Sequence, residues 1–98
     1  MKYNLITVYT SESARWRGKP LYSAVCDYIV SLNIAARCIV TTGIAGCYES
    51  GVIASSGIEV LSQNLPCKIE IILPDRQTDF VLSTLCQMVK DGLVAVSD

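Results

Sequence analysis

Apolar positions recur first at every second residue, then at a spacing of three to four, then at every second again, and this cycle runs twice. Lys2 to Thr10 alternates as a strand, with Leu5 and Ile6 giving it apolar character on both faces. Ser11 to Gly18 is polar and charged and predicts a loop. Pro20 then stands in a first-turn position, and Leu21, Ala24, Val25, Tyr28, Ile29 and Leu32 draw one stripe along a helix of about four turns. Asn33 ends it. Arg37 to Thr42 is short and rich in β-branched residues, which marks a second strand.

The second cycle opens at Pro66, at a strand start, where a missing N–H costs least. Cys67, Ile69, Ile71 and Leu73 point one way, and Lys68, Glu70 and Ile72 the other. Pro74-Asp75 breaks this strand and offers a helix cap. Phe80, Val81, Leu85, Met88 and Val89 mark the second helix, closed by Gly92, and Leu93 to Val96 is the last strand. The order βαββαβ predicts an α+β, ferredoxin-like domain: a four-stranded antiparallel sheet with two helices on one face. Residues 1–98 form one domain, with neither a linker nor a low-complexity segment.

Between the second and third strands runs Gly43 to Leu65, GIAGCYESGVIASSGIEVLSQNL. Loops of this length are uncommon in compact domains and are usually functional or mobile. Ile58 to Leu61 is a candidate short strand within it. Gly43, Gly46, Gly51 and Gly57 allow unusual backbone angles and the close approach of a ligand; the plainer reading is a tight hairpin corner. The stretch holds no Lys or Arg, so a bound anion must find positive charge elsewhere. The basic cluster is Arg15, Arg17 and Lys19, set around Trp16 and Gly18 before the first helix. Arginines beside a helix N-terminus can hold a phosphate, and an aromatic ring can stack on a base. The competing reading is a solvated loop with Trp16 folded onto the core.

Composition adds one structural expectation. Hydrophobic residues make up 51% and charged ones 17%, against about 25% charged in typical soluble domains. With helices on one side, Ile6, Val8, Ile39 and Ile72 are expected on the uncovered sheet face, among Arg37, Lys68 and Glu70. That surface is too apolar to stand in water and predicts a homo-oligomer. Net charge is −1 with no histidine, which argues against a nucleic-acid footprint. No apolar run reaches the roughly 18 residues of a membrane span, and MKYNLITVYT reads as a strand rather than a leader, so a cytoplasmic protein without membrane insertion is expected.

The five cysteines are odd in number and include no C-x-x-C pair. Cys26, Cys38, Cys67 and Cys86 are expected as buried free thiols. Cys47, in the loop, is the one placed for redox chemistry. Neither a metal site nor a cofactor site has the required spacing. No catalytic constellation stands out either. The segment after the first strand lacks the Gly-rich anion loop of an acylphosphatase, and the third strand lacks the aromatics of an RNA-recognition domain. The chain does not read as an enzyme.

Four segments occur in order at consistent distances: Gly18-Lys19-Pro20-Leu21-Tyr22, Thr42-Gly43-Ile44-Ala45-Gly46, Leu61-Ser62-Gln63-Asn64-Leu65-Pro66 with an Ile-Glu-Ile strand, and Asp91-Gly92-Leu93-Val94. Together they resemble the PII-like family known as domain of unknown function 190, over nearly the whole chain. The resemblance implies trimeric signalling subunits with effector clefts between them and a partner-contacting loop after the second strand. It implies a homotrimer that binds a small effector such as an adenine nucleotide, and a protein target. Candidate ligand residues are Arg15, Arg17, Lys19, Arg37, Thr42, Gly43 and Gly46; the candidate partner loop holds Cys47, Tyr48, Glu49, Ser50 and Gly51. The chain departs from the family pattern at Thr42, Glu49 and Ala54, where members often carry a basic residue, a glycine and a histidine. Tyr48 does not lie in the PII modification motif. The alternative reading is a trimeric metal-tolerance protein of the CutA type.

Overall fold

The computed structural model describes residues 2–51, 53–55 and 64–97. Its main sheet is built from β1 (Tyr3–Ser11), β4 (Arg37–Thr42), β7 (Pro66–Pro74) and β8 (Leu93–Ser97), in the antiparallel order β4-β7-β1-β8. Helices α1 (Leu21–Ser31) and α2 (Thr78–Met88) bridge the strands of each half. The expected α+β, ferredoxin-like arrangement is the one observed. Short hairpins form where none was expected: β2 (Arg15–Trp16), in the segment expected as a loop, pairs with β3 (Lys19–Pro20), and β5 (Ala45–Cys47) pairs with β6 (Ile53–Ser55) in the long loop, so Pro20 is the extended residue before α1 and not part of its first turn. Gly57 and the candidate strand from Ile58 to Leu61 lie outside the described residues.

Register sorts the sheet residues by face, because successive side chains point to opposite sides. One face carries the rows Cys38, Ile71, Ile6, Val96 and Val40, Ile69, Val8, Val94. Its central members are fully buried and, with Leu21, Val25, Val81 and Leu85 from the helices, form the core. The other face carries Arg37, Ile72, Leu5, Ser97; then Ile39, Glu70, Thr7, Ala95; then Thr41, Lys68, Tyr9, Leu93. Ile6 and Val8 therefore belong to the core and not to the uncovered face where they were expected. Counting along β1 puts them in phase with Asn4 and Thr10, which are also buried. The apolar character of the open face comes instead from Tyr3, Leu5, Tyr9, Ile39, Ile72 and Leu93, of which all but the half-buried Leu5 are exposed.

Element ends follow local chemistry. Asn33, at φ 52°, takes the left-handed conformation that stops α1, a step Asn tolerates better than most residues. α2 ends earlier than Gly92 suggests, on the extended Val89. Gly92 has a different duty. At φ 155° it lets the chain turn back along β1, and a Cβ there would lie 2.4 Å from the Tyr9 carbonyl oxygen. The Thr10 hydroxyl donates to the Asp91 carbonyl at 2.7 Å across the same turn. Asp75 caps neither helix: it opens a 3-10 turn (Asp75–Gln77), and its carboxylate accepts a 2.8 Å hydrogen bond from buried Asn4. Phe80 points outward on α2, 60% exposed, rather than joining the buried stripe.

Candidate functional site

Because β7 runs opposite to both β1 and β4, the ends of those two strands meet the start of β7 at one edge of the sheet. A hollow of about 330 Å³ opens there. Tyr9 and Thr10 come from β1, Thr41, Thr42 and Gly43 from the end of β4, and Pro66, Cys67 and Lys68 from β7. The β5–β6 hairpin closes over it, supplying Cys47, Tyr48 and Glu49. The Tyr48 hydroxyl donates to the Asn64 carbonyl, which ties the hairpin to the far end of the long loop.

The glycines act on packing. Gly43 donates its N–H to the Pro66 carbonyl at 2.8 Å, and a Cβ at Gly43 would meet Pro66 Cγ at 3.0 Å. At Gly46 the same contact would be 2.9 Å. Gly43, just before β5, and Gly46, within it, thus serve close packing on the Pro66 ring; the hairpin's corner lies further on, at Tyr48 to Gly51. Gly51 turns the hairpin at φ 91°, its N–H donating to the Tyr48 carbonyl at 2.9 Å.

Electrostatics around the hollow are mixed. Burial, and then the nearby Asp91 and Glu12 carboxylates, push the Tyr48 phenol above its ordinary value. Burial and Glu12 do the same to the Cys67 thiol. Lys68 is the cation among the lining residues, with its Nζ 3.7 Å from a Glu70 carboxylate oxygen. Glu49 offsets it. The lining thus offers hydroxyls, backbone and one ammonium, but not the charge that a di- or triphosphate needs.

The sequence candidates divide among several places. Thr42, Gly43, Cys47, Tyr48 and Glu49 line the hollow, Gly46 packs behind it, and Ser50 and Gly51 form the exposed hairpin turn. The basic residues go elsewhere. Arg17 and Lys19 line a groove against α1 and α2, where Arg17 lies 4.9 Å from the centre of the half-buried Trp16 ring and Lys19 pairs with Asp27. Arg15 is exposed on β2, and Arg37 borders a shallow depression with Tyr3 and Ile72 on the open sheet face. Sequence reasoning missed Tyr9, Thr10, Thr41, Pro66 and Lys68 at the hollow. Alternation along β7 gave the face of Lys68, but only the pairing of β4 with β7 sets it beside Thr41.

The cysteines need one correction. Cys67 is buried and Cys26 and Cys38 half-buried, but Cys86 is exposed on α2, as Cys47 is on β5. Among the described residues no three His, Cys, Asp or Glu side chains come together as metal ligands. No helix among them is long and apolar enough to cross a membrane.

The fold is shared with solved structures at low identity. A DUF3240 family protein from Shewanella baltica matches with a TM-score of 0.62 at 12% identity, covering 100% of this chain and 90% of that one. GlnK from B. subtilis, a PII protein, matches with a TM-score of 0.55 at 16% identity, covering 97% and 82%. The fold is therefore PII-like. At the level of sequence, the profile of DUF190, described as an uncharacterized ACR, matches residues 3–98. The chain belongs to the DUF190 family.

Proposed function

We propose that this chain is a non-enzymatic, PII-like regulatory protein of the cytoplasm. It assembles as a homotrimer through the open sheet face and holds a small anionic effector where subunits meet. The observation that carries this reading is the open face, where Tyr3, Tyr9, Ile39, Ile72 and Leu93 are each between 43% and 54% exposed in the lone chain. Covering a few hundred Å² of such surface at about 25 cal/mol per Å² contributes several kcal/mol per subunit before association costs. The hollow shares Tyr9, Thr41 and Lys68 with that face, so a neighbour seated on the sheet would supply its missing wall.

What lines the hollow supports the choice of effector. Hydroxyls of Thr10, Thr41 and Thr42, the Lys68 ammonium and the Tyr9 and Tyr48 rings suit a flat heterocycle carrying an anionic group. An adenine nucleotide is the first candidate, and cationic residues of a neighbouring subunit would complete its charge balance. The partner loop Cys47–Gly51 would report occupancy to a protein partner, since its Cys47, Tyr48 and Glu49 line the hollow. The metal-tolerance reading gains no ligand cluster from the described residues.

Isothermal titration calorimetry against ATP, ADP, AMP and the cyclic nucleotides tests the reading. Saturable binding by the assembled protein is expected, weakened roughly 10- to 100-fold by Lys68→Ala, the loss of one charge-assisted hydrogen bond. Silence across the whole panel would remove the nucleotide and leave a partner-binding role alone.

A further inference from the structure

We infer that Cys26 and Cys38 form an intramolecular dithiol–disulfide site, oxidised by hydrogen peroxide, that links α1 to β4. The two sulfurs lie 3.3 Å apart, one on the sheet-facing side of α1 and the other on the helix-facing side of β4. A disulfide bond is about 2.05 Å long, so the sulfurs have little more than an ångström left to close. Twelve residues separate them in sequence, but the fold has already brought them into contact. The other three cysteines are placed differently: Cys47 and Cys86 face solvent and Cys67 is buried in the core.

Chemistry distinguishes the partners. Burial first, and then the hydrogen bond and charge of Cys26, push the Cys38 thiol up to about 12. Cys38 is thus the thiol that keeps its proton in the contact, and attack on the oxidant is assigned to Cys26. The Cys26 thiolate attacks a peroxide oxygen, the O–O bond breaks, and the departing hydroxide takes a proton to become water. Cys26 is left as a sulfenic acid. The Cys38 sulfur then attacks the Cys26 sulfur; the S–S bond forms, the S–O bond breaks, and the Cys38 proton leaves with the hydroxide as a second water. In sum two thiols lose two protons and two electrons, and one hydrogen peroxide becomes two waters. A thiol-disulfide exchanger reverses the step with two electrons from a dithiol.

The bond would fasten the helix layer to a strand that, among the described residues, has one neighbour in the sheet. β4 continues directly into Thr41, Thr42 and Gly43, so the tether sits on the strand that walls the hollow. Nothing in this step requires an effector, and the site stands or falls separately from nucleotide binding.

The test uses the full chain carrying Cys47→Ser and Cys86→Ser, which removes the two exposed thiols and leaves three of the five. The folded protein is treated with stoichiometric hydrogen peroxide, then unfolded, alkylated with iodoacetamide and read by intact mass and peptide mapping. The expected product has lost two hydrogen atoms, carries one alkyl group, on Cys67, and yields a peptide pair joined through Cys26 and Cys38. Dithiothreitol should restore three alkylatable thiols. Adding Cys38→Ser should abolish the mass loss and leave oxygen adducts on Cys26. Three alkylated thiols after peroxide, oxygen adducts without a bridge, or a bridge that includes Cys67 would each overturn the assignment. Should the double variant fail to fold, mapping the oxidised wild-type chain gives the same decision, because only one of its ten pairings satisfies the proposal.

Discussion

Replacing Ile72 by aspartate puts a charge in the middle of the open sheet face and probes the assembly directly. Ile72 lies on β7 between Arg37 and Leu5 and is 44% exposed in the lone chain. Full burial of such a side chain is worth about 1.5–3 kcal/mol, so covering the exposed part contributes about 1 kcal/mol per subunit. A trimer loses three such terms, about 3 kcal/mol. Each new carboxylate must also be taken from water, at several kcal/mol per ion, partly offset by Arg37 across the strand pair. The sum is on the order of 10 kcal/mol for the trimer. Because the ratio of trimer to free subunit depends on the square of free subunit concentration, the midpoint moves by nearly four orders of magnitude, about half the seven decades lost from the association constant. The separate chain should tolerate the change, since the carboxylate would face solvent beside a guanidinium. Sedimentation equilibrium over a concentration series, with circular dichroism to verify folding, reads the effect. Phe80→Asp is the control: Phe80 is 60% exposed, but it lies on α2, away from the open sheet face, and its mass should not change. An Ile72→Asp protein that assembles like the wild type, or a Phe80→Asp protein that dissociates equally, would refute the reasoning.

Other substitutions test the frame that holds the site. Gly92→Ala sets a Cβ 2.4 Å from the Tyr9 carbonyl at φ 155° and should lower unfolding free energy by about 3 kcal/mol in urea titration; Gly18→Ala, at φ 84° with nothing within 4 Å, should cost only about 1 kcal/mol. Asn4→Ala removes hydrogen bonds of 2.8 Å to Asp75 and 2.9 Å to Thr78 that join β1 to the start of α2, and should cost about 2–3 kcal/mol in the same titration. The Cys38 thiol supplies a pH dependence. Its pKa is raised from 9.0 to about 12 on folding, so the unfolded chain releases the proton first; its contribution is full below pH 9 and is lost as pH rises toward 12. Thermal melts of the reduced protein should fall over that window, and Cys38→Ser should flatten the fall.

Periodicity carried most of the architecture because the two repeats it separates, two and three to four residues, are set by backbone geometry. It reached the edges of β4 and β7 and the left-handed stop at Asn33. It failed where the pattern alone has no phase. Leu5 and Ile6 are adjacent and both apolar, and only the pairing of Ile6 with Ile71 decides which of them enters the core. The two short hairpins went unseen because two- and three-residue strands are too brief to show alternation. Gly92 and Asp75 look like helix signals, yet one serves a close approach to β1 and the other accepts from Asn4, a partner 71 residues away. The hollow was half legible. Thr42, Gly43 and the Cys47–Glu49 stretch announce themselves as a glycine-rich loop, whereas Lys68 and Tyr9 join them through strand order. The basic cluster misled because proximity in sequence to the first helix says nothing about which groove the side chains enter. Cys26 and Cys38 likewise show no spacing motif; their contact exists only because α1 lies over β4.

Multi-angle light scattering of the wild-type chain at micromolar concentration tests the central claim most directly: the open sheet face is an interface between copies of this chain. The account predicts a single species of three times the 10.7 kDa subunit mass. A homogeneous, folded 10.7 kDa particle would contradict it.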